Sequence, residues 1–299
     1  MNGVLVVDKP GGLSSHDVVA RVRRVAGQRS VGHAGTLDPM ATGVLVVLLG
    51  EGTKLASYLT ADDKVYRAAI RLGSETDTLD AEGEVVERAP VPALDAGGVR
   101  RVVESFLGPQ QQRAPVVSAL KVNGRALHER YRRGEEVEAP IRAVRMRWFD
   151  GLTYADGLVT LRVAVAKGYY VRSLARDLGL ALATRGHLEA LRREASGALE
   201  LRDAVPLDAL LATDGPERLA SSLLSLADAV AHLPQVELSA AGANDAFHGR
   251  LVRAADYTSQ AVRVGDQPLA LLGPDGSLVA IGQGHAKGTL RVVRGFRCA

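Results

Sequence analysis

The chain has 299 residues, 46% of them apolar, and its 37 Lys and Arg stand against 34 Asp and Glu for a net charge of +3. That apolar fraction excludes a disordered chain, and the length allows one large domain or a medium one with a small one. The single cysteine, Cys298, excludes a disulfide framework or a cysteine zinc cluster within one chain.

Val4–Val7 predicts a strand, closed by a turn at Lys9-Pro10-Gly11-Gly12. The first residues carry no charged region followed by a long apolar run, so no secretory signal is expected. Ser14 or Ser15 can cap a helix that places Val18, Val22 and Val25 on one face. Val44–Leu49 predicts a buried strand, far too short to span a bilayer. A cytoplasmic protein with no membrane contact is the expectation. Thr53–Leu59 predicts a short helix and Val65–Leu72 another strand. Leu94–Phe106 predicts a helix that ends before Gly108-Pro109. Val144, Met146 and Trp148 alternate with Arg145 and Arg147, which predicts a strand with one basic face. Leu158–Ala166 predicts a strand and Val171–Ala183 a helix. Strands and helices mix without strict βαβ alternation, so the expected class is α+β with an antiparallel or mixed sheet.

Leu207 to about Leu233 is rich in Ala and Leu and predicts helix. After Pro234, short apolar runs at Ala261–Val264, Leu269–Leu272, Leu278–Ile281 and Leu290–Val293 alternate with turn pairs. This predicts a catalytic domain over 1–233 and a small β-rich domain over 234–299.

Between Gly32 and Gly50 only one residue is acidic, Asp38. It lies in the small-residue stretch Gly32-His33-Ala34-Gly35-Thr36-Leu37-Asp38-Pro39-Met40-Ala41-Thr42-Gly43. Pro39 pushes Asp38 out of the helical region, and Gly35 and Gly43 permit close backbone approach. A basic chain attracts a polyanion, and a lone carboxylate in the approach path repels one. An acid at this place points to chemistry on the polyanion. A plain Asp-Pro turn fits the same spacing.

Five further blocks accompany this stretch: Lys9 to His16, Lys64-Val65-Tyr66-Arg67, Ser118 to Arg125, Gly168-Tyr169-Tyr170-Val171-Arg172-Ser173-Leu174, and His187-Leu188-Glu189-Ala190-Leu191-Arg192-Arg193. In that order, across about the first 200 residues, they closely resemble the bacterial TruB family. Members of that family are tRNA pseudouridine synthases that modify uridine 55 of the T loop. The resemblance implies an α+β catalytic domain with a thumb insertion over about 113–147, followed by a PUA-like RNA-binding domain. It implies that Asp38 is the catalytic carboxylate and that Arg172 pairs with it. Tyr66 would stack on the target base and take part in proton transfer. Tyr170 and Leu191 would line the base pocket, and His33 would fill the place of the flipped nucleotide. Lys9 and Lys64, within matching blocks, are expected to contact substrate. His128, and Arg130-Tyr131 in place of the usual Ala-Arg, depart from the family pattern and set the thumb contacts apart. Arg291, Arg294 and Arg297 put a basic edge on the terminal segment.

The implied partner is the T arm and elbow of tRNA, bound by a monomer. The implied chemistry breaks the N1–C1′ bond of uridine and joins C5 to C1′. Nothing is oxidised or hydrolysed, so no cofactor and no metal ion are expected. One ionised carboxylate can act covalently while the freed base turns. Attack at C1′, attack at C6 and removal of a sugar proton all fit. Arg172 is expected to lower the Asp38 pKa by opposite charge. Flipping the base costs roughly a few kcal/mol, and stacking on Tyr66 returns about 1–3 kcal/mol. Three other readings fit parts of the pattern: a non-catalytic tRNA-binding protein or RNA chaperone, a base-excising nucleoside hydrolase, and a related synthase acting on another RNA.

Overall fold

The computed structural model describes residues 1–118, 120–122, 124–133, 135, 137–258 and 265–297. The apolar run 261–264 and Cys298 lie outside the described residues.

The strand β1 (Gly3–Lys9) is buried on both sides, because alternate residues feed two cores. Leu5 and Val7 turn to one core, Val4 and Val6 to the other. Next come β2 (Val31–Ala34) and β3 (Thr42–Leu49), with the Asp38 loop between them. The same sheet takes in β4 (Lys64–Leu72), β5 (Gly108–Arg113), β6 (Ile141–Ala155) and β7 (Leu158–Val165). It is completed by β8 (Gly186–Ser196), β9 (Leu199–Glu200) and β10 (Val205–Pro206). The spatial order is β10-β1-β3-β8-β4-β7-β6-β5, with β2 on β3 and β9 on β8. The pairs β10–β1 and β8–β3 are parallel, and the others antiparallel. The sheet is therefore mixed.

One face is covered by α1 (Ser15–Val25), α2 (Ala96–Glu104) and α3 (Val171–Ala181). Ser14 caps α1: its Oγ accepts from Asp17 N at 3.1 Å, and Asp17 Oδ2 accepts from Ser14 N at 2.9 Å. Val18 and Val22 then fall into the core, while α2 contributes Val99 and Val103, and α3 contributes Leu174 and Leu178.

Four expectations change. Thr53–Leu59 divides into a 3-10 turn at Gly50–Leu55 and a helix at Ala56–Thr60. The Leu207–Leu233 helix is three short ones, Leu207–Leu211, Gly215–Ser221 and Leu226–Ala229. Gly215-Pro216 starts a new helix instead of continuing the first, and a Cβ at Gly215 would lie 2.0 Å from the Leu210 carbonyl oxygen. Trp148 does not join Val144 and Met146 inside. A bulge between Met146 and Trp148 turns it out, 40% exposed, with the Arg162 guanidinium 5.6 Å from its ring centre. The segment that leaves the sheet is bounded by the Arg113↔Ile141 pair, so 142–147 belong to β6. This insertion has a small core of its own, Ala114, Leu127 and Ala139, with Tyr170 packed against it.

A second sheet holds β11 (Gln235–Leu238), β12 (Tyr257–Thr258), β13 (Leu269–Leu272), β14 (Leu278–Gly284) and β15 (Leu290–Gly295). Its order is β12-β11-β13-β14-β15. It packs on the other face of the large sheet: Val4, Val6, Val46 and Leu48 share one apolar cluster with Ala270, Leu272, Ile281 and Phe296. Among the described residues, no helix is long and apolar enough to cross a membrane.

Candidate active site

The Asp38 loop is held from below by two buried cations. Lys9, with no exposed surface, donates from Nζ to the carbonyls of Pro10, Leu13 and Pro39 at 2.9, 2.6 and 3.1 Å. The expectation that Lys9 contacts substrate is corrected here, because its donors are spent inside the loop. Burial lowers its pKa to about 8. Arg193, on β8, donates from Nε to Val44 O at 2.6 Å and from Nη2 to Gly35 O at 3.0 Å. Ser15 Oγ accepts from Leu37 N at 2.8 Å and tethers the loop to α1. Gly43 has φ +96°, and a Cβ there would lie 2.2 Å from the Arg193 carbonyl oxygen. Only glycine lets β3 start alongside β8 at this point.

Arg172 stands in the first turn of α3, 5% exposed. Its Nη2 donates to Asp38 Oδ1 at 2.9 Å, and its Nε lies 2.9 Å from Asp38 Oδ2 as an ion pair off the hydrogen-bond line. Nη1 donates to Thr78 O at 3.0 Å and lies 3.4 Å from Asp80 Oδ2. One guanidinium thus bridges two carboxylates. Asp80 is 3% exposed, and its Oδ1 accepts from Thr78 Oγ1 at 2.6 Å and from Glu82 N at 3.1 Å. Leu79 takes the left-handed conformation, φ 62°, and its carbonyl accepts from Leu188 N at 3.0 Å. That turn is fixed to β8 and aims Asp80 inward.

Arg172 lowers the Asp38 pKa as expected, but the net shift runs the other way. Burial pushes the carboxyl above the usual carboxylate value, Arg172 opposes the shift, and Asp80 adds to it as a like charge. Sequence reading placed Arg172 but missed Asp80. The turn Thr76-Asp77-Thr78-Leu79-Asp80 reads locally as a solvated polar loop, and only the fold brings it to Arg172.

Asp38 opens into a cavity of about 350 Å³, within the range of small-ligand sites. Tyr66 from β4 and Leu191 from β8 form part of its wall, with Lys64, Tyr170, Arg172 and Arg193 around it. Lys64 is 7% exposed, and its Nζ donates to the carbonyls of Thr60 and Asp62 at 2.8 and 2.5 Å. Tyr170 is held by its backbone. Its N–H donates to Gln112 Oε1 at 2.9 Å, and its carbonyl accepts from Gln112 Nε2 at 3.1 Å. Sequence reading missed Gln112, a buried amide on β5. Ser118 and Leu120 bring the insertion up to the same cavity.

His33 is outside the cavity wall. It lies on β2, half-buried, edge-on to His16 with ring centres 5.4 Å apart. Burial lowers its pKa and favours the neutral ring, with His16 and Arg193 adding to the effect. Among the described residues, no cluster of three or more His, Cys, Asp or Glu could hold a metal ion.

The site therefore has one carboxylate, fixed by one arginine, at the mouth of a cavity walled by tyrosine and leucine. The chain superposes with TM-score 0.76 on a solved H/ACA RNP bound to a substrate RNA containing 2′-deoxyuridine, at 23% identity over 99% of this chain and 85% of that one. It superposes with TM-score 0.75 on a Cbf5-Nop10-Gar1 complex, at 26% identity over 99% and 84%. Fold and site together define the class of pseudouridylate synthases. The family model of the TruB pseudouridylate synthase N-terminal domain matches residues 23–171, and that of the tRNA pseudouridylate synthase B C-terminal domain matches 172–231. The tRNA pseudouridine synthase B of Thermobifida fusca is 43% identical over 98% of both chains. That of Corynebacterium aurimucosum is 52% identical over 72% of this chain and 73% of its own. The chain belongs to the TruB family.

Proposed function

We propose that the protein isomerises uridine to pseudouridine at position 55 in the T loop of tRNA. One observation carries this reading: Asp38, gripped by Arg172, opens into a cavity with Tyr66 and Leu191 in its wall. The target base leaves its stack and enters the cavity. Tyr66 stacks on it and takes part in proton transfer. Tyr170 and Leu191 confine it while it turns. Asp38 supplies the reacting carboxylate, and Arg172 orients it. The N1–C1′ bond breaks, C5 joins C1′, and the proton lost from C5 is matched by one gained at N1. His33, beside the loop and outside the cavity, suits the position that the flipped nucleotide vacates.

The T arm and elbow dock by phosphate contacts, so affinity falls with salt. Arg291, Arg294 and Arg297 are exposed on and after the last strand and extend that surface as a PUA-like unit. A monomer is the reading that goes with this site, because Asp38, Arg172, Tyr66, Tyr170 and Leu191 already meet around one cavity.

The test is incubation with an unmodified tRNA transcript, followed by mapping of pseudouridine by position. The expected product carries pseudouridine at position 55 of the T loop and has unchanged RNA mass. Free uracil with an abasic RNA would make the protein a hydrolase. Binding without conversion would make it a chaperone.

A further inference from the structure

Around the cavity there is more positive charge than local carboxylates match. Lys64, Lys167, Arg172 and Arg193 line it together with one acid, Asp38. Arg172 is matched by Asp38 and Asp80. Arg193 is 1% exposed and donates only to the carbonyls of Val44, Gly35 and Thr36, at 2.6, 3.0 and 3.4 Å. Lys64 likewise has only backbone carbonyls on its ammonium. The two side chains flank the same turn: a Cβ at Gly35 would lie 3.6 Å from Arg193 Nη1 and 3.9 Å from Lys64 Cε. Burying a charge with no carboxylate hydrogen-bonded to it costs several kcal/mol, met for Lys64 only in part by Asp62 and Asp63. Such a cost is offset when the charge meets an opposite one that exists only during reaction.

We propose that Lys64 and Arg193 stabilise the negative charge that develops on the pyrimidine while its glycosidic bond is broken. The inference rests on the reading of the cavity as a uridine site. Taken by the C1′ route, the electron pair of N1–C1′ leaves with the base as a uracil anion, and C1′ bonds to the Asp38 carboxylate. On rejoining, C5 donates a pair to C1′, the Asp38–C1′ bond returns its pair to the carboxylate, and the C5 proton moves to N1. The base is anionic only between the two bond changes. An RNA phosphate is the other anion available, and side chains 1% and 7% exposed lie too deep to meet one.

Asp62 and Asp63 face Lys64 and favour its charge, while Arg193 and Lys167 oppose it. Burial brings Lys64 to about 8, which leaves it charged at neutral pH.

The test variant is Lys64→Gln, which keeps a donor for the two carbonyls and deletes the charge. The tRNA dissociation constant should stay within about twofold while the single-turnover rate falls about 100-fold. Lys64→Arg should recover most of that rate. A Lys64→Gln rate equal to wild type overturns the proposal. So does a rise in the dissociation constant that accounts for the whole loss, because that marks a phosphate contact. A second measurement needs no variant. Free 5-nitrouracil, an anion at neutral pH, should inhibit the wild-type enzyme more strongly than neutral uracil, and equal inhibition overturns the proposal. Absence of pseudouridine with the wild-type enzyme would strike the uridine reading itself.

Discussion

Asp38 sits where its ionised form is disfavoured. Burial and Asp80 raise its pKa, and Arg172 holds the rise in check. If Asp38 supplies the reacting carboxylate, as proposed, kcat/KM falls as pH drops through that raised value, and the acid limb lies above the ordinary carboxylate range. Asp80→Asn removes a like charge and should move the limb down. Arg172→Met removes the opposing charge and should move it up. Profiles of kcat/KM between about pH 4 and 8 check both, and a limb unmoved in either variant refutes the coupling. Asp38→Asn should abolish pseudouridine formation. It should leave tRNA affinity unchanged or improved, because a carboxylate in the path of a polyanion is gone. A filter-binding titration beside the activity assay reads both, and weaker binding would contradict the charge argument.

The elements around Asp38 are held by backbone contacts that tolerate little change. Gly43→Ala places a Cβ against the Arg193 carbonyl at a φ that side chains rarely adopt. The cost should be about 1–3 kcal/mol, seen as a lower denaturant midpoint, with slower turnover as the loop shifts. Gln112→Ala removes both Gln112 bonds to the Tyr170 backbone, leaving the carbonyl with Leu174 N and the N–H without its amide acceptor, and should cost about 1–3 kcal/mol by the same measurement. Legibility follows the same lines. β1, β3 and α1 carry an uninterrupted apolar period and were readable as they stand. β8 was not, because bulges at Leu188/Ala190 and Arg193/Ala195 break its alternation. Asp38 was legible because its signal is local, a lone acid among small residues. Asp80, Gln112 and Arg193 take their meaning from partners far along the chain. Lys9 misled for that reason: its place in a matching block points to a substrate contact, and its three carbonyls converge only in the fold.

Across the whole molecule, the two faces of the large sheet divide the work. One carries α1, α2, α3 and the cavity, while the other is covered by the second sheet together with the short helices Ala56–Thr60 and Leu226–Ala229. The cover is fastened at its end. Lys54 Nζ donates to Gly295 O at 3.1 Å, Arg297 N donates to Glu51 Oε2 at 2.7 Å, and Phe296 is 1% exposed between them. Each sheet has a core of its own, and one further apolar cluster spans both and joins them. Phe296→Ala should cost about 3–5 kcal/mol and lower the melting of the entire protein rather than of a separate unit. Calorimetry on the wild type should give one transition with equal calorimetric and van't Hoff enthalpies. Two resolved transitions, with only the lower one sensitive to Phe296→Ala, would mean that the terminal unit folds independently and the shared cluster couples nothing.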